Sequence, residues 1–138
     1  MTWAASLIRI ANFEVELLQK RLAEIVQRRA HAEIALAVLC AEGEAEAVRA
    51  RDDAEAGWYH LGFQQGLVAR KREAETRIAD LAVEEQGARD ALSEAFEALK
   101  KYEQVAENQR LAAAQVAHRR ETAEYDEMGL RRAVGARR

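Results

Sequence analysis

Apolar residues recur at alternating steps of three and four along the first third of the chain. The series begins at Ile8 and reaches Leu39, and only Arg29 is polar among its ten positions. Its members are Ile8, Ala11, Val15, Leu18, Leu22, Ile25, Arg29, Ala32, Leu36 and Leu39. Because this spacing places every member on one face of a helix, the pattern predicts the seam of a left-handed coiled coil. It weakens at Gly43 and Glu46.

A second series with the same spacing occupies the other half of the chain. Ten of its twelve positions are apolar when Tyr102 is counted. The positions are Ile78, Leu81, Glu85, Ala88, Leu92, Ala95, Leu99, Tyr102, Ala106, Gln109, Ala113 and Val116. Many of these residues are alanines, so the two helices are expected to approach closely, with modest stabilisation from each layer.

A Gly-flanked aromatic segment, residues 57–66, lies between the two series. Since Gly favours the positive φ at which many helices end, this segment is interpreted as the turn of a hairpin. The predicted bounds are helix one over about 3–56, the turn over about 57–66, helix two over about 67–128, and a flexible Arg-rich tail over 129–138. The alternative is one continuous helix that dimerises, in which the Gly-rich segment would have to stay helical.

Composition supports the same architecture. Proline is absent, alanine is abundant and 33% of the residues are charged. Such a chain favours long uninterrupted helix, and it can build a narrow seam more readily than a compact core. The predicted fold class is therefore all-α, a long antiparallel two-helix coiled-coil hairpin that forms a single domain over residues 1–138.

Charge is unevenly distributed, although the net charge is only −3. Residues 1–30 carry five cations and three anions, residues 31–66 carry two and seven, and residues 119–138 carry six and four. A hairpin would bring both basic ends to one pole and leave the acidic middle at the turn. An accidentally uneven, solvated surface is the alternative. Nucleic acid is disfavoured as a partner, because the net charge is mild and the basic residues are not interleaved with aromatics.

The sequence predicts a soluble cytoplasmic protein without a signal peptide or direct membrane insertion. The apolar stretch near Trp3 is short and stops at Arg9, and no run approaches the roughly 18 apolar residues of a membrane span. The single cysteine, Cys40, suits a reducing compartment, and its apolar surroundings predict a buried thiol without a catalytic role.

The search for catalytic chemistry finds no candidate. The histidines His31, His60 and His118 are scattered and lack the spacing of a zinc half-site, and no phosphate-binding Gly loop is present. We therefore expect no enzymatic activity, no catalytic residue, no metal site and no cofactor. Function is expected to depend on surfaces instead.

Two surfaces stand out. The first is the aromatic segment, where Trp58, Tyr59 and Phe63 cannot all be buried by a two-helix turn and therefore suggest a docking site. A small aromatic cap that closes the turn is the alternative. The second surface is basic, with a solvated face as its alternative, and comprises Arg9, Lys20, Arg21, Arg28, Arg29, Arg119, Arg120, Arg131 and Arg132.

Four segments of the chain have a familiar sequence: residues 6–15, 20–25, 92–103 and 119–128, the last of which includes the pair Asp126 and Glu127. The first two resemble the opening, the third the middle and the fourth the end of the flagellar export protein FliJ family. The resemblance spans nearly the whole chain. Its terminal motifs are the more specific part, because coiled coils resemble one another easily.

The resemblance implies a cytoplasmic coiled-coil stalk of the flagellar type III export apparatus, located at the cytoplasmic face of the inner membrane. Family members bind the hexameric export ATPase and promote its activity, and they link it to the membrane export gate and to export chaperones. The free protein is expected to be a monomer. A generic scaffold coiled coil, a homodimer without an ATPase partner, or the stalk of a virulence secretion system remain alternatives.

Carried over by position, the ATPase-binding residues would be Arg9, Phe13, Arg119, Arg120, Glu121, Asp126 and Glu127. The gate-facing residues Trp58, Tyr59 and Phe63 are assigned from expected exposure, because no family motif matches there.

Overall fold

Two α-helices make up the described part of the chain. The computed structural model describes residues 3–137, the side chains of Ala54 and Ala56 excepted. Helix α1 spans Trp3–Asp52 and helix α2 spans Ala54–Ala136, and no strand occurs among the described residues. The predicted all-α helical hairpin is confirmed.

The turn lies at Asp53, so its predicted position over 57–66 is wrong. The Asp53 carboxylate accepts a hydrogen bond from the Glu55 backbone N–H at 3.0 Å, and its carbonyl accepts one from the Gly57 N–H at 3.0 Å. This is an N-cap, which satisfies backbone N–H groups that a helix start leaves without intrahelical partners. Helix α2 therefore starts at Ala54 and includes the whole Gly-flanked aromatic segment.

Other features of the turn agree with this position. Helix α1 carries Arg49 and Arg51 in its last turn, where cations complement the helix dipole. No described residue has a positive φ, so the glycines of 57–66 do not serve as left-handed helix ends. The predicted end of helix one near residue 56 is thus four residues too late.

Contacts divide the chain into two compact units, Glu14–Glu94 and Met1–Phe13 with Ala95–Arg138. The first is called the turn unit here and the second the terminal unit. Met1, Thr2 and Arg138 lie outside the described residues. A single domain over 1–138 stays a prediction.

The core of the turn unit is the predicted seam. Each predicted seam position from 15 to 39 and from 78 to 92 is buried or half-buried. The buried apolar side chains are Val15, Ile25, Ala32, Leu67, Leu81 and Ala88. The coiled-coil prediction is therefore confirmed for this unit.

The seam does not stop at Gly43 and Glu46, where the apolar pattern weakens. Both residues are half-buried, and Gly43 faces the side chain of Leu67 on α2. A Cβ atom added to Gly43 would lie 2.5 Å from Cδ2 of the buried Leu67. The missing side chain makes room for Leu67, which explains why the apolar pattern fades at a position that the seam still uses.

One charged cluster occupies the seam of the turn unit. Arg29 Nη1 donates to Glu85 Oε2 at 2.6 Å, and Arg89 Nη2 donates to Glu85 Oε1 at 3.0 Å. Beside this pair, Arg28 Nη2 donates to Glu84 Oε1 at 2.8 Å. In heptad notation Arg29 and Glu85 both occupy position a, and their preceding residues both occupy position g. Within this unit, the two polar residues of the predicted seams therefore meet each other.

The terminal unit contains a short seam and a long exposed segment. Its buried residues are Ala4, Ala11, Ala95 and Leu99, and Ala106 is the last half-buried residue of α2. Every residue from 107 to 137 is exposed. The prediction that Gln109, Ala113 and Val116 lie in the seam is wrong, because no described residue of α1 covers them.

Two further predictions are corrected by the structure. Helix α2 continues to Ala136 through Gly129 and Gly135, so residues 129–136 are helical and not an irregular tail. The Cys40 side chain is exposed and not buried, because it follows the seam residue Leu39 and points away from the seam.

The close approach at Gly43 predicts opposite effects for two Gly to Ala changes. Gly43→Ala should lower the free energy of unfolding by about 1 kcal/mol, because overpacking costs more than the gain in helix propensity. Gly62→Ala is the matched control: nothing lies within 4 Å of its added Cβ, and it should raise stability by up to about 1 kcal/mol. Urea unfolding followed by circular dichroism measures both. Equal stabilisation by the two changes would contradict the close approach.

The charged cluster predicts a pH-dependent contribution to stability. Hydrogen bonds from Arg29, and then from Arg89, lower the pKa of Glu85 below its ordinary value of 4.5. The contribution is therefore fully present above pH 4.5 and is lost as the pH falls through the lower folded value. Glu85→Gln should melt at a lower temperature than the wild type at pH 7, and the difference should shrink as the pH falls below 4.5. The exposed Glu97→Gln, the matched control, should leave the melting temperature at pH 7 unchanged.

Candidate interaction surfaces

The aromatic segment forms the first turns of α2 in the turn unit. Trp58 and Tyr59 are 83% and 68% exposed, and Leu61 is exposed beside them. Phe63 differs, since it is half-buried and its ring centroid lies 5.9 Å from the Arg70 guanidinium carbon. Of the three aromatic residues predicted to form a docking site, Trp58 and Tyr59 are therefore exposed, whereas Phe63 packs against Arg70 of its own helix.

A groove of about 740 Å³ lies next to the aromatic segment. Gly43 and Leu67 are both in its wall. The sequence pattern did not predict this groove, although the weakening of the pattern at Gly43 was an available signal. The groove is lined by Cys40, Gly43, Glu44, Ala47, Leu61, Phe63, Gln64, Gln65, Leu67, Val68 and Lys71.

All seven residues predicted to face an ATPase belong to the terminal unit, but they do not form one cluster. Arg9 and Phe13 lie on α1, where it packs on α2, and Phe13 is largely exposed. The other five lie on α2 beyond Ala106, and the first of them, Arg119, is about 20 Å further along the helix at 1.5 Å per residue. The structure separates the predicted set into two groups.

The exposed segment of α2 carries charged and apolar residues side by side. Glu127 accepts a hydrogen bond from Arg131 at 2.9 Å, and the Thr122 hydroxyl donates to the His118 carbonyl at 3.0 Å. Its larger exposed apolar residues are Leu111, Val116, Tyr125, Met128, Leu130 and Val134. So many uncovered apolar residues on one helix indicate a surface for a partner.

Part of the predicted basic surface is neutralised within the chain. Arg28 and Arg29 belong to the turn unit, where they form ion pairs with Glu84 and Glu85. These two arginines hold the hairpin together, so they are not available as a free basic face. The predicted basic surface is correspondingly smaller.

No group of three or more His, Cys, Asp or Glu side chains that could hold a metal ion occurs within residues 3–137. Among the described helices, none is long and apolar enough to cross a membrane.

Curated relatives of the chain come from one species. The flagellar FliJ proteins of Caulobacter vibrioides strains NA1000/CB15N and ATCC 19089/CIP 103742/CB 15 are each 54% identical to it over 136 residues. The matched region covers 98% of this chain and 98% of each relative. No family model and no solved structure matches the chain. Identity at this level over nearly the full length of both proteins shows that the chain belongs to the flagellar FliJ protein family.

Proposed function

We propose that this protein is a coiled-coil component of the flagellar type III export apparatus that binds the hexameric export ATPase and promotes its activity. The exposed segment of α2, residues 107–136, carries the proposal. It is helical and continues the heptad spacing of the seam beyond the part of α2 that α1 covers, so it offers an apolar and charged face that no other helix covers in the described part of the chain.

The ATPase contact is assigned to the terminal unit. Arg119, Arg120, Glu121, Asp126 and Glu127 lie on the exposed segment, and Arg9 and Phe13 form a separate group on α1. Charged side chains on an exposed helix favour fast, salt-dependent association more than high affinity. The surface therefore suits a partner that is bound and released repeatedly.

The gate contact is assigned to the turn unit. Trp58 and Tyr59 are exposed aromatics, and the adjacent groove, where Phe63 forms part of the wall, can receive an apolar side chain of an extended or helical segment. Aromatic anchors next to a pocket are typical of the residues that carry most of the binding energy in an interface.

The role is that of a binding and linking protein without catalytic activity, metal or cofactor, located in the cytoplasm at the inner face of the membrane through the export apparatus. Export chaperones are included among the proposed partners, without residues assigned to them. A generic scaffold or the stalk of a virulence secretion system is distinguished by which ATPase and which gate protein the chain recovers in a pulldown.

Charge reversal at Arg119 and Arg120 tests the ATPase contact. Arg119→Glu with Arg120→Glu should abolish stimulation of the export ATPase and weaken binding, because both positions lose their attraction for an acidic partner surface. Lys100→Glu with Lys101→Glu is the matched control, an exposed basic pair on the two-helix part of the same unit, and it should retain stimulation. Unaltered stimulation by the Arg119/Arg120 variant would sink the assignment.

Truncation of the exposed aromatics tests the gate contact. Trp58→Ala with Tyr59→Ala should reduce recovery of the export-gate protein at least tenfold in a pulldown, while the melting temperature stays within about 2 °C of the wild type. Val83→Ala, an exposed apolar residue of the same unit, should change neither quantity. A large loss of helicity in the double variant would instead support an aromatic cap that stabilises the turn.

A further inference from the structure

The exposed segment of α2, residues 107–136, repeats the seam pattern of the hairpin. Its heptad positions a and d are spaced three and four apart, and all of them are exposed, Leu130 at 67%. A helical face with this spacing is suited to packing against another helix. These positions are Gln109, Ala113, Val116, Arg120, Ala123, Glu127, Leu130 and Val134.

Paired charges hold the helices of the turn unit in register. At heptad positions g and a, α1 has Arg28 and Arg29, and α2 has Glu84 and Glu85. Arg28 contacts Glu84 at 2.8 Å, and Arg29 contacts Glu85 at 2.6 Å. The hairpin therefore joins an Arg-Arg pair on one helix to an acidic pair on the other.

The exposed segment carries the same two kinds of pair on one helix. Arg119 and Arg120 occupy positions g and a, and Asp126 and Glu127 occupy g and a of the next heptad. The two pairs lie about 10 Å apart along the helix at 1.5 Å per residue, so they do not meet within one chain. Of these four charges, only Glu127 has an ion-pair partner in the described part of the chain.

We propose that the exposed segments of two copies of this chain pair as an antiparallel, two-fold symmetric coiled coil. Arg119 of each copy contacts Asp126 of the other, and Arg120 of each copy contacts Glu127 of the other. A two-fold contact is self-complementary, so every charge pair occurs twice. The basic and acidic pairs then neutralise one another on both sides of the symmetry axis.

The register of the hairpin supports this alignment. Gly43 and Leu67 approach each other across the seam of the turn unit, so they are taken as level. Counting along both antiparallel helices from there puts Arg29 level with Leu81. The arginine therefore reaches an acid that lies four residues beyond the level position, at Glu85.

The proposed pair reproduces the same offset. When Arg120 is level with Ala123 of the second copy, the acid four residues further on is Glu127. In this alignment Ala113 lies opposite Leu130, and Val116 lies opposite Glu127, as Ile25 lies opposite Glu85 in the turn unit. Residue 107 then lies opposite Ala136, and the overlap covers the exposed segment from its first residue to the end of α2.

The pair is expected to be weak and concentration-dependent, which modifies the expectation of a free monomer. Its layers contain alanines and short aliphatic side chains, so each contributes little apolar area. Arg120 and Glu127 also belong to the proposed ATPase contact. If that proposed function holds, self-pairing and ATPase binding exclude each other.

Sedimentation velocity of the full chain at low salt, over a concentration series up to about 100 µM, tests the proposal. The wild type should show a concentration-dependent dimer. Arg120→Glu and Glu127→Arg should each raise the dissociation constant at least about tenfold, because each creates two like-charge contacts in a symmetric dimer. An equimolar mixture of the two variants should recover the dimer, since each copy then supplies the charge that the other needs.

The mixture separates the proposed pairing from a general charge effect and from a loss of folding. Arg132→Glu, on the outward face of the same helix, should dimerise like the wild type, and circular dichroism should show equal helicity for all variants. A wild type that stays monomeric throughout, a mixture that stays monomeric, or a loss of dimer in Arg132→Glu would each overturn the proposal. None of these readouts involves the ATPase, so failure of the proposed function leaves the result unaffected.

Discussion

The ion pair between Arg29 and Glu85 fixes how the two helices of the turn unit align. Most seam positions are apolar, and many are alanines, so neighbouring registers would bury similar surfaces. A register that buried Glu85 away from a cation would be costly, because an unpaired charge loses its hydration without compensation. The pair therefore acts mainly by excluding other alignments, and the neighbouring contact from Arg28 to Glu84 reinforces the same choice.

The groove of the turn unit follows from that alignment. With Arg29 held at Glu85, Gly43 comes to lie against Leu67, whose side chain takes the space that a Cβ at Gly43 would need. Phe63 lies within the continuous helix α2, where it is half-buried and forms part of the groove wall. Trp58 and Tyr59 fall on the outward face of the same helix and stay exposed.

The sequence predicted the helical seam, because apolar spacing reports directly on the buried face. It mislocated the turn, because Gly57 and its neighbours were taken as helix ends, whereas the N-cap Asp53 stops and restarts the helix with an ordinary side-chain hydrogen bond. The exposure of Trp58 and Tyr59 was expected from the sequence, because a two-helix turn cannot bury so many aromatic side chains. The contact between Arg29 and Glu85 depends on how the two helices are aligned, and so does the length of α2 that α1 leaves uncovered. The apolar pattern of a single helix contains no information about this alignment.

The same arrangement of charges occurs in two settings that differ in how the helices are brought together. In the turn unit, the short connection at Asp53 keeps Arg29 and Glu85 in one chain, so pairing is independent of protein concentration. The pairs around Arg120 and Glu127 have no such connection, so any partner must be recruited from solution. Such an intermolecular contact forms at high local protein concentration and is displaced by a competing binding partner. Persistent structure and exchangeable binding can therefore arise from one heptad pattern.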